Sequence, residues 1–193
     1  MGLGNPGPRY RLTRHNAGFW FLDRWAGLLG LSFRKPWFQP FEFCETRRGS
    51  NRLVLVKPLT FVNRSGLILE RVLGKFDAAP GDLLVVFDQM DLPPGRLRMK
   101  PHGSSAGHNG LKSIEAALGN QDYHRLALGV GRPTRSDEVV DHVLGGLSAE
   151  EAAATQTLLD WAVPLAHSLW SDRWEVLIHA FNQRDRHPPS DPR

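Results

Sequence analysis

The run Leu83-Leu-Val-Val-Phe87, closed by Asp88, restricts the fold more than any other segment. Five consecutive apolar residues rich in Val and Leu, without polar alternation, predict a strand buried on both faces. A strand of that kind needs helices above and below it, and the chain supplies them. Phe19, Leu22, Trp25, Ala26 and Leu29 recur at helical spacing over residues 16–29, and Gly30 is placed to end that helix. Residues 65–76 form a second amphipathic pattern and 110–118 a third. Residues 41–47 and 52–57 flank Gly49-Ser-Asn51 and read as a hairpin, while 96–100 and 124–130 are further strands. Ser148-Ala-Glu-Glu151 is a capping box opening a long helix to about residue 169, with a kink expected at Pro164, which cannot bond to the Asp160 carbonyl. Residues 174–181 make one more helix. Strands alternating with helices, plus one hairpin, predict an α/β domain with a mixed sheet.

Composition narrows the class. The chain has 193 residues, 41% of them apolar, which is enough for one sizeable core. A single domain over residues 1–183 is expected, with 184–193, which hold three prolines, as a flexible tail. Residues 17–22 run into Asp23 and Arg24, and no stretch reaches the roughly 20 apolar residues of a membrane helix. No basic-then-apolar leader opens the chain. The single cysteine, Cys44, excludes an internal disulfide and a Cys-rich metal cluster, and fits a reducing cytoplasm. Charge is divided: residues 1–100 hold 16 Lys and Arg against 8 Asp and Glu, net +8, whereas residues 101–193 hold 8 against 12, net −4. A basic half of that size suits a polyanionic partner, or simply a solvated surface.

Three constellations compete for the function. Gly2-Leu-Gly-Asn-Pro-Gly7 fits the dinucleotide fingerprint, but no strand precedes it and the residues after Pro8 delay the helix that should receive the pyrophosphate. Gly103-Ser-Ser-Ala-Gly107 fits a nucleophile elbow, with Ser105 as an acyl-enzyme nucleophile, yet the next helix does not begin at once after Ser105. The third is scattered: Asn5, His15, Asn63, Asp88 and Asn109 are short polar side chains at the termini of regular elements. In an α/β sheet such termini converge on one rim. Taken singly, Asn63 and Asn109 read equally well as helix N-caps. Together the set offers a base, a carboxylate to orient it and neutral amides for peptide-like groups, with no need of a metal.

At these residues the chain resembles the bacterial-type peptidyl-tRNA hydrolase family. The resemblance runs in order through Gly2-Leu-Gly-Asn-Pro-Gly7, Tyr10, Thr13-Arg-His-Asn16, Lys57-Pro-Leu-Thr-Phe-Val-Asn63, Asp88-Gln-Met-Asp-Leu-Pro-Pro-Gly95, Gly107-His-Asn-Gly-Leu-Lys112 and Leu128-Gly-Val-Gly-Arg-Pro133. It implies a phosphorylase/hydrolase-like fold, a mixed, twisted central sheet flanked by helices. The implied activity is hydrolysis of the ester between a peptide and the terminal ribose of tRNA, by a monomeric, cytoplasmic enzyme that uses no cofactor. By the same resemblance His15 is the general base acting on water, Asp88 keeps it oriented, and Asn5 separates blocked from free aminoacyl-tRNA. Tyr10, Phe61, Asn63 and Asn109 match tRNA- and peptide-binding positions, and Lys100 a phosphate contact.

The chain departs from the family pattern at four places. Met1 stands where a short apolar strand usually precedes the first motif, so that strand is expected to be truncated, and either the true start lies upstream or the Asn5 loop is weakly anchored. Phe87 and Gln89 replace the more usual His and Glu around Asp88. Ala127 replaces a basic residue, and Arg98, Arg125 or Lys112 would have to compensate. Two other readings remain open at this point: an RNA-binding relative acting in RNA processing, and a serine esterase using Ser105.

Overall fold

The computed structural model describes residues 1–170 and 172–186. Strands β1 (Phe41–Arg48) and β2 (Asn51–Pro58) form the expected antiparallel hairpin, with Phe41 opposite Pro58. Strand β3 (Leu84–Gln89) pairs in parallel with β5 (His124–Gly129), and β4 (Leu97–Lys100) lies antiparallel on the far side of β5. Residues 1–3 connect the two groups. Gly2 bridges Val86 in parallel, the Leu3 amide donates to the Val86 carbonyl (2.8 Å), and the Gly2 amide donates to the Val56 carbonyl of β2 (3.0 Å). The expected truncated strand is therefore present as three residues in the centre of a mixed sheet, in the order β1, β2, 1–3, β3, β5, β4.

Alternation along β3 divides the core. Val86 faces α1 (Ala17–Leu28), α5 (Ala149–Leu169) and α6 (Trp174–Arg186), packing with Phe21, Leu22, Trp25, Leu126, Leu128 and Leu159. Val85 and Phe87 face α2 (Leu69–Phe76) and α3 (Asn109–Leu118), packing with Leu3, Ile68, Leu111 and Ile114. Burial on both faces is what the uninterrupted apolar run required.

The helices fit their sequence signals with informative differences. Ser148 Oγ accepts from the Glu151 amide (3.2 Å) and Glu151 Oε2 accepts from the Ser148 amide (2.7 Å), so the capping box forms as read. Helix α5 continues through Pro164. The second expected helix divides into a 3₁₀ segment, Val62–Ile68, followed by α2. A six-residue helix, α4 (Val139–Leu144), had no legible periodicity. Helix α6 runs to Arg186, past the expected end at Phe181 and into the segment expected to be a tail; residues 187–193 of that segment lie outside the described residues.

One glycine sets the spacing of the whole arrangement. A Cβ on Gly18 would fall 2.3 Å from the Val86 carbonyl oxygen and 2.5 Å from the Leu3 nitrogen. The first turn of α1 thus lies directly on the backbones of residues 1–3 and β3, and only glycine permits that approach. Two of the fingerprint-like glycines of the first loop serve similar contacts: a Cβ on Gly2 would fall 2.4 Å from the Gly18 carbonyl oxygen, and one on Gly4 would strike the Phe19 ring at 2.7 Å.

Candidate active site

Asp88 lies near the C-terminal end of β3, and Asn5 follows residues 1–3, the neighbouring parallel segment. Both stand at the strand ends where α/β sheets bind ligands. His15 sits in a 3₁₀ turn (Arg14–Asn16) that feeds α1, and the Gly18 contact brings that turn against β3. His15 Nδ1 is 2.8 Å from Asp88 Oδ1. With the Nδ1 proton donated to the carboxylate, the Nε2 lone pair is left as the basic atom.

A second imidazole, unforeseen in the sequence, completes the cluster. His108 Nε2 lies 3.0 Å from the same Asp88 oxygen, and the two rings are 5.2 Å apart. Phe87, on the other side of β3 from Asp88, meets the His108 ring edge-on at 5.3 Å. Asp88 is 2% exposed. Burial alone would raise its carboxyl pKa; the imidazoles of His108 and His15 outweigh that and hold it well below the usual carboxylate range. Burial also disfavours protonated His15, but the hydrogen bond and charge of Asp88 prevail, so its pKa is raised above 6.5.

Asn5 is firmly anchored, contrary to the weak anchoring expected of its loop. Its amide donates to Asn16 Oδ1 (2.8 Å), Asn16 Nδ2 donates back to the Asn5 carbonyl (3.1 Å), and Asn5 Oδ1 accepts from the Val62 amide (2.9 Å). A main-chain N–H can only donate, which fixes the orientation of the Asn5 amide and leaves its Nδ2 hydrogens for a ligand. The Val62 bond also holds the segment bearing Phe61 and Asn63, both exposed. Phe61 meets Tyr10 edge-on at 6.1 Å, and Arg9 covers the Tyr10 ring at 4.6 Å.

Neither Asn63 nor Asn109 is a helix cap. The 3₁₀ segment is capped at Phe61, and α3 at His108, whose Nδ1 accepts from the Gly110 (3.1 Å) and Leu111 (3.3 Å) amides. Asn109, one position inside α3, is exposed beside His108. Lys100 stands apart: it faces Arg125 across β4 and β5, two strands from β3 and three residues, about 10 Å, from the Leu97–Leu128 pair level with Asp88. Arg125 cannot compensate for Ala127, because it is 3% exposed and bonded to the Ser104 carbonyl and Glu115. Arg98, directly opposite Ala127, and Lys112 are exposed. Gln89 turns to Asp91, its Nε2 donating to Oδ2 at 3.0 Å.

Among the described residues, His15, Asp88 and His108 are the group of three whose ligand atoms could hold a metal. Both ring nitrogens, however, converge on one carboxylate oxygen at hydrogen-bond distance, so a cation would have to displace both protons and separate the three groups. Among the described residues Ser105 meets His108 through its carbonyl, which accepts from the His108 amide (2.9 Å), a turn contact rather than a nucleophile–base pair. Cys44 is buried, and burial pushes its thiol up to about 11, the property of an inert core thiol.

A family profile described as Peptidyl-tRNA hydrolase matches residues 1–189. A peptidyl-tRNA hydrolase of Symbiobacterium thermophilum is 44% identical over 94% of this chain and 97% of its own, and one of Desulfitobacterium hafniense is 45% identical over 88% and 90%. The crystal structure of peptidyl-tRNA hydrolase from Acinetobacter baumannii superposes with a TM-score of 0.83 at 32% identity, covering 94% of this chain and 91% of that one. With the family match nearly end to end and the sheet shared, the chain belongs to the peptidyl-tRNA hydrolase family.

Proposed function

We propose that the protein hydrolyses the ester joining a peptide to the terminal ribose of tRNA, with His15 as general base. The observation that carries this reading is the 2.8 Å contact between His15 Nδ1 and the buried Asp88 carboxylate, at the strand ends beside Asn5. His15 Nε2 takes a proton from water as the water oxygen attacks the ester carbonyl carbon. Asp88 holds the ring in the tautomer that leaves Nε2 free and stabilises the imidazolium that forms. Collapse of the tetrahedral intermediate breaks the bond to the ribose oxygen, and that oxygen takes the proton from His15. The products are a peptide acid and free tRNA, and His15 is again neutral.

Asn5 supports selectivity for blocked substrates. Its oxygen is occupied by the Val62 amide, so it presents only N–H donors, which suit a peptide carbonyl and repel the ammonium of an unblocked aminoacyl-tRNA. Tyr10, Phe61, Asn63 and Asn109 surround the same rim as binding groups for the peptide and the 3′ nucleotides. Lys100 would meet phosphate farther along the acceptor stem. We take the protein to be a monomeric cytoplasmic enzyme acting as one catalytic domain; no helix among the described residues is long and apolar enough to cross a membrane.

The experiment is release of N-acetyl amino acid from N-acetyl-aminoacyl-tRNA. Loss of a general base should lower turnover by His15→Ala at least about a hundredfold. Undiminished turnover by that variant would remove the mechanism.

A further inference from the structure

We propose that His108 is a positioning residue for this site: held in one tautomer by the N-terminus of α3, it orients Asp88 and through it sets how tightly His15 holds a proton. The inference rests on the reading of Asp88 and His15 as the working pair.

The constraint comes from the helix start. Helix N-caps are usually Ser, Thr, Asn or Asp; here an imidazole takes the position, and its Nδ1 receives the Gly110 and Leu111 amides. Those amides can only donate, so Nδ1 must carry a lone pair and the ring proton must be on Nε2. That N–H points at Asp88 Oδ1, 3.0 Å away. Gly110 makes the placement possible, since a Cβ there would fall 2.9 Å from His108 Cε1 and 2.8 Å from Val62 Cγ1. With Phe87 and His15 against it and only 8% of its side chain exposed, the ring has little room to turn.

Asp88 Oδ1 therefore accepts two N–H bonds, one from each imidazole. The second donor prevents the carboxylate from rotating away from His15. It also draws on the oxygen's electron density, so that less is available to the His15 N–H. Other charges are turned elsewhere. Arg14 on the same turn bonds Glu151 and the His142 and Gly146 carbonyls; β5 places Leu128 opposite Asp88; Arg125 is held by Ser104 and Glu115; and Lys112 on α3 and Arg64 on the 3₁₀ segment are exposed. On α1, Asp23 pairs with Lys57 and Arg24 with Asp160.

The test is long-range ¹H–¹⁵N NMR of the histidine rings in the intact protein, with a pH profile of kcat/KM for N-acetyl-aminoacyl-tRNA alongside. Wild-type His108 should be the Nε2–H tautomer. His108→Asn keeps an oxygen to cap Gly110 and Leu111 but has no donor reaching Asp88. In that variant the His15 titration midpoint should rise by on the order of half a pH unit, about threefold in proton affinity, and the acidic limb of kcat/KM should move with it. A wild-type His108 protonated on Nδ1, or a midpoint that stays or falls in His108→Asn, overturns the proposal. Should His108→Asn not fold, the wild-type tautomer alone decides. A raised midpoint beside an unmoved kcat/KM profile would uphold the role of His108 and instead sink the reading of His15 as the base.

Discussion

The residue on which most depends is Asp88, because one buried oxygen serves two imidazoles. Its charge raises the His15 pKa, and His15 works as a base only when deprotonated. Activity should therefore rise with pH through a midpoint above 6.5. In Asp88→Asn the raising influence is gone while burial still disfavours the imidazolium, so the midpoint should fall toward or below 6.5. The plateau should also drop by on the order of a hundredfold or more, because the developing positive charge is no longer matched; a kcat/KM profile of the variant reads both. His15, Asp88 and Asn5 were legible in the sequence as short polar side chains at element ends within motifs of the family. His108 was not, although it stands inside the family motif Gly107-His-Asn-Gly-Leu-Lys112. Histidine is an unusual cap, and its bond to a residue twenty positions earlier exists only once α3 packs beside β3. Asn16 was hidden likewise, since its task of clamping Asn5 depends on the path of the first loop.

At the scale of elements, local signals were read well and non-local ones poorly. The α5 capping box is written within four residues, and the hairpin within a single turn. Asn63 and Asn109 looked like caps because asparagine favours that position, yet Phe61 and His108 hold it, one or two residues earlier. The six residues of α4 are too few to show a helical period, and they pack on the turn that carries His15. The contact of α1 with residues 1–3 and β3 is likewise invisible in sequence, where Gly18 is merely a glycine near a helix start. A Cβ there overlaps two backbones that cannot yield as a flexible side chain would. Gly18→Ala should accordingly cost about 3 kcal/mol or more, the scale of severe overpacking, and should separate His15 from Asp88. Thermal melting and turnover should fall together; an unchanged Tm would show that the strands can part at little cost.

For the molecule as a whole, the division of charge was plain from the beginning, and the family membership gives it a substrate. A basic first hundred residues facing tRNA would bind largely by counterion release, so tRNA affinity should weaken steeply between about 50 and 200 mM salt. A shallow dependence, measured by filter binding or anisotropy, would mean that the basic half is not the docking surface. The order of the sheet was beyond the sequence: three residues in the centre give no periodicity, and among the described residues it is they that pair with both strand groups. The same holds for Arg125, which looked available for phosphate and is instead built into the loop preceding α3.

The close approach at Gly18 has a consequence for how such a chain can vary. His15 stands three positions before that contact and Asp88 two positions after Val86, so the distance between base and carboxylate is set by main chain resting on main chain. At Gly18 itself the nearest atoms are backbone atoms of Val86 and Leu3, with no side chain between the two backbones. The apolar residues on either side of β3 are thus free to exchange for others of similar volume over evolutionary time. Stability would drift with each exchange, while the separation that the chemistry needs passes unchanged from one descendant to the next.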